Sequence, residues 1–285
     1  MKTAIIVNLT KEKAISCARQ IVTILQEAGA KIYMPPECTN YFKNCGITFS
    51  QSVQALFEQI DMAVTVGGDG TIIHAAKHAA RAGKPLIGVN VGRLGFAADV
   101  ETDEIDELKK LVCGNYTTDE RILLDIEVKK PKGSTHYLAV NDAVVTHGQL
   151  SKIVDLTLFL NEEEISKYRA DGLLFSTPTG STAYSLSAGG PILSPQMECI
   201  LMTPVCPHSL FARSVLFESG SELSVTVKIP ESCSCVLSID GEKNIDVEEE
   251  DRIIVRKSDL TLKLISIKKS NFYSKLNKKL KEREL

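Results

Sequence analysis

The apolar run Met62-Ala63-Val64-Thr65-Val66 empties without a spacer into Gly67-Gly68-Asp69-Gly70, and residues 71–81 follow with helical spacing. A short strand apolar on both faces has no solvent side, so it belongs inside a parallel sheet covered above and below by helices. The surrounding chain agrees with that placement. Residues 3–9 read as a buried strand, and residues 12–28 repeat apolar side chains at Ile15, Ala18, Val22 and Leu25 before Gly29 stops the helix. Lys31 to Met34 predicts a second strand ahead of Pro35-Pro36, Val53, Leu56, Phe57 and Ile60 predict a second helix, and residues 85–90 supply a fourth strand after Gly83. Strands and helices alternating at this spacing predict a parallel α/β domain.

Past residue 100 the pattern changes. Residues 122–128, 137–145, 153–161, 173–176, 223–229, 236–239, 253–256 and 262–267 are apolar or alternating runs joined by Gly, Pro, Asn or acidic turns. Such runs predict a mainly antiparallel β-sandwich domain. Residues 101–111, rich in acid, read as a linking helix, and the runs 162–164 and 248–251 read as solvated turns. Phe272, Leu276 and Leu280 recur every fourth residue in a lysine-rich tail, which predicts a C-terminal helix packing one apolar stripe back on the first domain. The expected division is therefore 1–100 plus about 270–285 for an α/β nucleotide-binding domain of Rossmann-like type, and 101–269 for the β-sandwich.

Composition narrows the function classes. With 285 residues, 44% hydrophobic and 24% charged, the chain has enough material for two cores. The net charge of −3 excludes a globally basic nucleic-acid binder, although seven Lys and Arg against two Glu from residue 268 onward make the tail basic. The first apolar stretch is too short for a signal peptide and no long uncharged apolar run occurs, so a cytoplasmic protein with no membrane and no nucleic-acid partner is expected. Eight cysteines without a C-x-x-C pair read as reduced thiols.

Three segments carry chemistry. Glycines after a parallel strand let the backbone approach phosphate oxygens at a helix start, so Gly67, Gly68 and Gly70 suit a phosphate. A carboxylate there would repel that phosphate, so Asp69 faces a metal or an attacking hydroxyl, or else only stabilises a tight turn. A second glycine turn, Gly88-Val89-Asn90-Val91-Gly92-Arg93-Leu94-Gly95-Phe96, follows the next strand, with Arg93 either a cation for polyphosphate or a surface residue. The third segment runs from Tyr168 to Pro191. Its hydroxyls and glycines would aim polar groups at an anionic or sugar-bearing ligand, or form a capped helix with a polar face. Upstream, Asn141-Asp142 sets an amide beside a carboxylate in an otherwise apolar run, suited to a base edge or ribose hydroxyls, or to a bulge. His74 and His78 stand four apart but lack the glutamate of a zinc hydrolase, and no G-x-S-x-G elbow is present.

With these segments in view the chain resembles the NAD kinase family. The family's G-G-D-G appears as Gly67 to Gly70, its N-x-G-x-L-G-F as Asn90 to Phe96, its asparagine–acidic pair as Asn141-Asp142, and its D-G-x-x-x-S-T-P-T-G-S-T-A-Y-S block as Asp171 to Ser185. The turn Ser238-Ile239-Asp240-Gly241-Glu242 extends the likeness. The resemblance implies transfer of the ATP γ-phosphoryl group to the 2′-hydroxyl of the adenosine ribose of NAD, giving NADP. It implies Asp69 as the base, Asn141 and Asp142 as holders of the adenosine, and Arg169 with Asp171 on the dinucleotide. It further implies that Thr182, Ala183, Tyr184 and Ser185 enclose the rings, with Leu186, Ser187, His74 and Lys152 as added nucleotide-binding candidates. A divalent ion, Mg²⁺ carried on ATP, and a homodimer or homotetramer are implied as well, with polyphosphate as an open alternative donor. Where many members carry Glu, this chain has Asp142, one carbon shorter. Two other readings stand beside this one. A lipid kinase of the diacylglycerol or sphingosine type shares G-G-D-G-T but not the Asp171 to Ser185 block, and a sensor would bind NAD without turning it over.

Overall fold

The computed structural model describes residues 1–92, 98–148, 153–209, 212–229, 233–268, 272–274 and 276–277. The chain divides into two compact units, Met1–Glu120 with Leu260–Leu285, and Arg121–Asp259.

The first unit is built on parallel strands in the order Thr48–Phe49, Lys31–Met34, Lys2–Val7, Met62–Gly67 and Leu86–Asn90. Every residue of the last two is buried, as their largely apolar composition suits central strands. Registers Ile5↔Val64 and Val64↔Ile87 stack their side chains in rows. The helix Glu12–Glu27 turns Ala14, Cys17, Ala18, Ile21, Val22 and Leu25 inward and ends at Gly29, whose φ of +94° only glycine adopts readily. Helix Val53–Gln59 is capped by the Ser52 hydroxyl, which accepts the Ala55 N–H at 3.1 Å.

The unit boundary falls at 120 and not at 100 because Ile105, Leu108 and Leu111 are buried in the first unit's core. That acidic stretch is a 3₁₀ helix over Thr102–Leu108 followed by one α turn, Lys109–Val112, rather than a single linking helix. The return to this unit begins at Leu260 and not near 270. Leu264 pairs with Leu86, and the Ile267 N–H donates to the Asp99 carboxylate at 2.9 Å. Residues 272–274 and 276–277 are helical with Leu276 buried, while Leu280 lies outside the described residues.

The second unit holds two antiparallel layers. In one, Glu163–Ala170, Val154–Leu160, Leu223–Lys228 and the first half of Arg252–Ser266 lie side by side, and Thr117–Lys130 pairs with Gly133–Ala139. The other runs Val215–Glu218, Cys199–Val205, Gly172–Ser176, Asp142–His147, Cys235–Ile239, Lys243–Val247. Leu124, Leu156 and Val225 from the first layer share one core with Val145, Phe175 and Met202 from the second. Alternation along Val154–Leu160 places Val154, Leu156 and Leu158 in that core and Asp155 outside.

Two sequence expectations need correction here. Residues 137–145 are not one strand: the first layer's strand stops at Ala139 and the second layer's begins at Asp142, so the chain changes sheets across Val140-Asn141. Of the acidic run 162–164, only Glu162 is in the turn, at φ +70°, while Glu163 and Glu164 begin a strand. Burial pushes the Cys38 and Cys235 thiols up to about 12. No described helix is long and apolar enough to cross a membrane.

Candidate functional site

In the first unit Gly67 closes its strand, and its carbonyl accepts the Val91 N–H at 2.8 Å, so the two glycine turns are bonded to each other. The helix begins at Asp69, two residues earlier than its spacing suggested, with Gly68 extended before it and the Gly68 carbonyl accepting the Thr71 N–H at 3.0 Å. First-turn amides of a helix have no carbonyl one turn earlier, and with the dipole they make this end attractive to phosphate oxygens. Gly67 is required by close approach: a Cβ there would stand 2.9 Å from Thr71 Cβ and 3.1 Å from Asn8 Cβ. A cation that sequence reasoning did not single out stands over both turns. Lys11 Nζ lies 3.6 Å from the Cβ position of Gly92, whose φ is +132°, and 3.8 Å from that of Gly68. Lys11 occupies the N-cap position of the first helix, four residues past the end of the first strand, and its side chain is exposed.

Asn90 is 1% exposed, and its amide donates to the Glu101 carboxylate at 2.9 Å, while its Oδ1 has no partner. That commits half of this side chain to structure and leaves a buried acceptor. His74 is exposed and meets His78 edge to face at 5.6 Å, and His78 in turn stacks on Phe57. Among the described residues no group of three or more His, Cys, Asp or Glu could hold a metal. Arg93 and Lys152 lie outside the described residues.

In the second unit a cavity of about 880 Å³ is lined by Asn141, Asp142, His147, Ala183, Tyr184 and Asp246 among others. Asn141 and Asp142 sit where the chain changes sheets, and their backbone is bonded on both sides. Thr177 N–H donates to the Asn141 carbonyl at 2.9 Å, the Thr177 hydroxyl to that of Val140 at 2.7 Å, and the Ser176 hydroxyl to that of Asn141 at 3.1 Å. From the other side the Asp240 carboxylate accepts the N–H groups of Val140, Asn141 and Asp142. Asp142 is 5% exposed and Tyr184 is 48% exposed, so the wall offers one deep carboxylate and one open ring.

Five hydroxyls of the Ser- and Thr-rich block are bonded within the protein. Besides Ser176 and Thr177, the Ser181 hydroxyl donates to the Pro178 carbonyl at 2.7 Å and accepts the Leu193 N–H at 3.1 Å. Thr182 donates to the Thr179 carbonyl, and Ser185 shares a hydrogen bond with Thr203 at 3.1 Å. All five are buried. Of the residues from Thr182 to Ser187, Ala183 and Tyr184 reach the cavity, whereas Leu186 is half-buried and Ser187 exposed on the short helix Tyr184–Ser187. Arg169 is exposed, 4.0 Å from Asp155. Asp171 stands 4.0 Å from His147 Nε2 and hydrogen-bonds the Cys206 thiol, which raises that thiol's pKa. His147, which the sequence did not single out, lines the cavity, as do Ser238, Asp240 and Asn244. The strand expected over 236–239 and the turn Ser238 to Glu242 are the traces of this second wall in the sequence.

Comparison with known proteins follows the same division. Residues 3–116 match the ATP-NAD kinase N-terminal domain and residues 140–267 the ATP-NAD kinase C-terminal domain. The chain is 35% identical over 286 residues to an NAD kinase of Acetivibrio thermocellus, covering 99% of this chain and 98% of that one. It is 37% identical over 240 residues to an NAD kinase of Carboxydothermus hydrogenoformans, covering 84% and 85%. Among solved structures it is similar to a yeast NADH kinase complexed with NADH, at a TM-score of 0.90 and 25% identity over 98% of this chain and 87% of that chain. An NAD kinase from Archaeoglobus fulgidus in complex with ATP shares the fold, at a TM-score of 0.76 and 23% identity over 99% of each chain.

Proposed function

The chain belongs to the NAD kinase family and phosphorylates NAD, and from that premise we propose how its residues divide the reaction. The first unit binds the donor. The linked glycine turns and the helix start at Asp69 take the phosphate oxygens of ATP, and the Lys11 ammonium adds a positive charge beside them. The second unit holds the acceptor. Asn141 and Asp142 hydrogen-bond the adenosine of NAD, and Tyr184 covers a ring face. Asp69 orients the 2′-hydroxyl and accepts its proton as the new oxygen–phosphorus bond forms, because a ribose hydroxyl is a weak nucleophile.

The divalent cation arrives on ATP as part of the substrate. Mg²⁺ fits, since it keeps water and phosphate oxygens as ligands and asks little of the protein. We place the enzyme in the cytoplasm as a homo-oligomer.

The observation that carries this reading is the Asn141-Asp142 pair set on the cavity wall by bonds from two sides. The test is a coupled assay for NADP, run with ATP, with polyphosphate and without donor. NADP formed with ATP and absent without donor supports the reading. NAD binding with no turnover under any donor would leave a sensor.

A further inference from the structure

We infer that Asp240 is a positioning residue for the acceptor, acting through the backbone of Asn141-Asp142; the inference rests on the NAD kinase reading and deepens it. Asp240 and Gly241 form the tight turn between Cys235–Ile239 and Lys243–Val247, with φ values of +51° and +67°. A turn of that kind asks only for Asp-Gly or Asn-Gly, so the turn alone does not explain a carboxylate. The carboxylate has another task. Asp240 Oδ1 accepts the Asn141 N–H at 2.7 Å and the Asp142 N–H at 3.1 Å, and Oδ2 accepts the Val140 N–H at 3.0 Å. In return the Asp240 N–H donates to the Asp142 carbonyl at 2.9 Å.

Three successive N–H groups converging on one carboxylate form an anion-binding nest, filled here by a side chain about a hundred residues away in sequence. The nest lies where the chain leaves one sheet for the other, so Val140 and Asn141 stand between the two strands and their N–H groups have no ladder to join. Asp240 thereby fixes the peptide planes that carry Asn141 and Asp142, and both residues line the cavity. Asparagine would keep the turn, yet its amide presents one acceptor and one donor where two acceptors are needed. D240N therefore separates the positioning role from the turn.

The experiment measures initial-rate kinetics of the full chain with NAD and ATP varied separately, for the wild type, D240N, N141A and the double variant. D240N should raise KM for NAD about tenfold or more, as loss of hydrogen bonds to a charged group implies, with KM for ATP within about twofold. The double variant should fall short of the sum of the two single effects, because Asp240 acts in part through Asn141. An unchanged KM for NAD, a parallel rise in KM for ATP, or additive effects would each overturn the inference. Should D240N fail to fold, D240E keeps the charge on a longer arm that cannot sit in the same nest, and wild-type affinity for NAD in that variant would also overturn it. A wild-type enzyme that makes no NADP fails the family reading instead, before any variant is compared.

Discussion

Gly180 sits so close to Asn141 that a methyl group on its α-carbon would overlap the Asn141 carbonyl oxygen. The same carbonyl already accepts from Thr177 N–H and the Ser176 hydroxyl, so it has no freedom to retreat. Gly180→Ala should push the Asn141-Asp142 corner out of place at a cost of about 1–3 kcal/mol, the usual range for forcing an extra methyl into a packed site. Urea unfolding with a matched measurement of NAD affinity checks this. Wild-type stability together with wild-type affinity would mean that the corner yields easily.

Asp69 begins its helix from the glycine turn, and its carboxylate is assigned the proton of the ribose hydroxyl. Asp69→Asn keeps the size and the helix start while removing the basic site. We expect kcat to fall by about 10²–10⁴, the span seen for general bases, with NAD binding by calorimetry close to wild type. A variant that stays fully active removes Asp69 from the mechanism.

On the proposed assignment Lys11 acts on the donor and not on the acceptor, since its ammonium stands near Gly68 and Gly92. Lys11→Met keeps much of the aliphatic stem and deletes the charge. KM for ATP should rise several-fold, KM for NAD should stay level, and the salt dependence of the ATP term should flatten, because an exposed charge is screened by ions. Equal changes for both substrates would contradict a donor-side role.

Glu127 gives a pH signature within the second unit. Hydrogen bonds from the Ser134 hydroxyl at 2.8 Å and from Arg256 at 3.0 Å hold its carboxyl below the usual carboxylate range. A depressed folded-state pKa stabilises the fold at pH above the ordinary value of 4.5, and that stabilisation disappears as pH falls through the lower, folded value. Arg256 also bonds Glu222 at 2.7 Å, so the cation keeps one partner when Glu127 is neutralised. Glu127→Gln should cost about 1 kcal/mol at neutral pH and less in acid, and unfolding midpoints measured at pH 3 and pH 7 would expose any other slope.

Much of this was legible in the sequence, for reasons that differ along the chain. The parallel unit reads well because Met62–Gly67 and Leu86–Asn90 are apolar on both faces and Glu12–Glu27 carries a full helical stripe. The second unit reads less well. Cys199–Val205 contains Pro204 and Val215–Glu218 exposes Val215 and Leu216, so neither shows the alternation that marks a half-buried strand. The break at Val140-Asn141 was invisible because apolar residues continue on both sides and only a tertiary partner, Asp240, reveals that the ladder stops there. Hydroxyls in the block from Ser176 to Ser185 were legible as a motif but not in their direction. Serine and threonine bond backbone carbonyls as readily as ligands, and composition does not distinguish the two.

The crossing at Val140-Asn141 has a consequence for how the enzyme matures. Its geometry is assembled from residues near 140, near 177 and at 240, contacts of long sequence separation that need all three segments to be present. A nascent chain still missing its Asp240 hairpin would already carry the glycine turns of the donor half. On the proposed assignment it would have no finished seat for a dinucleotide, so dinucleotide capture would report that the chain has been made at least past Asp240.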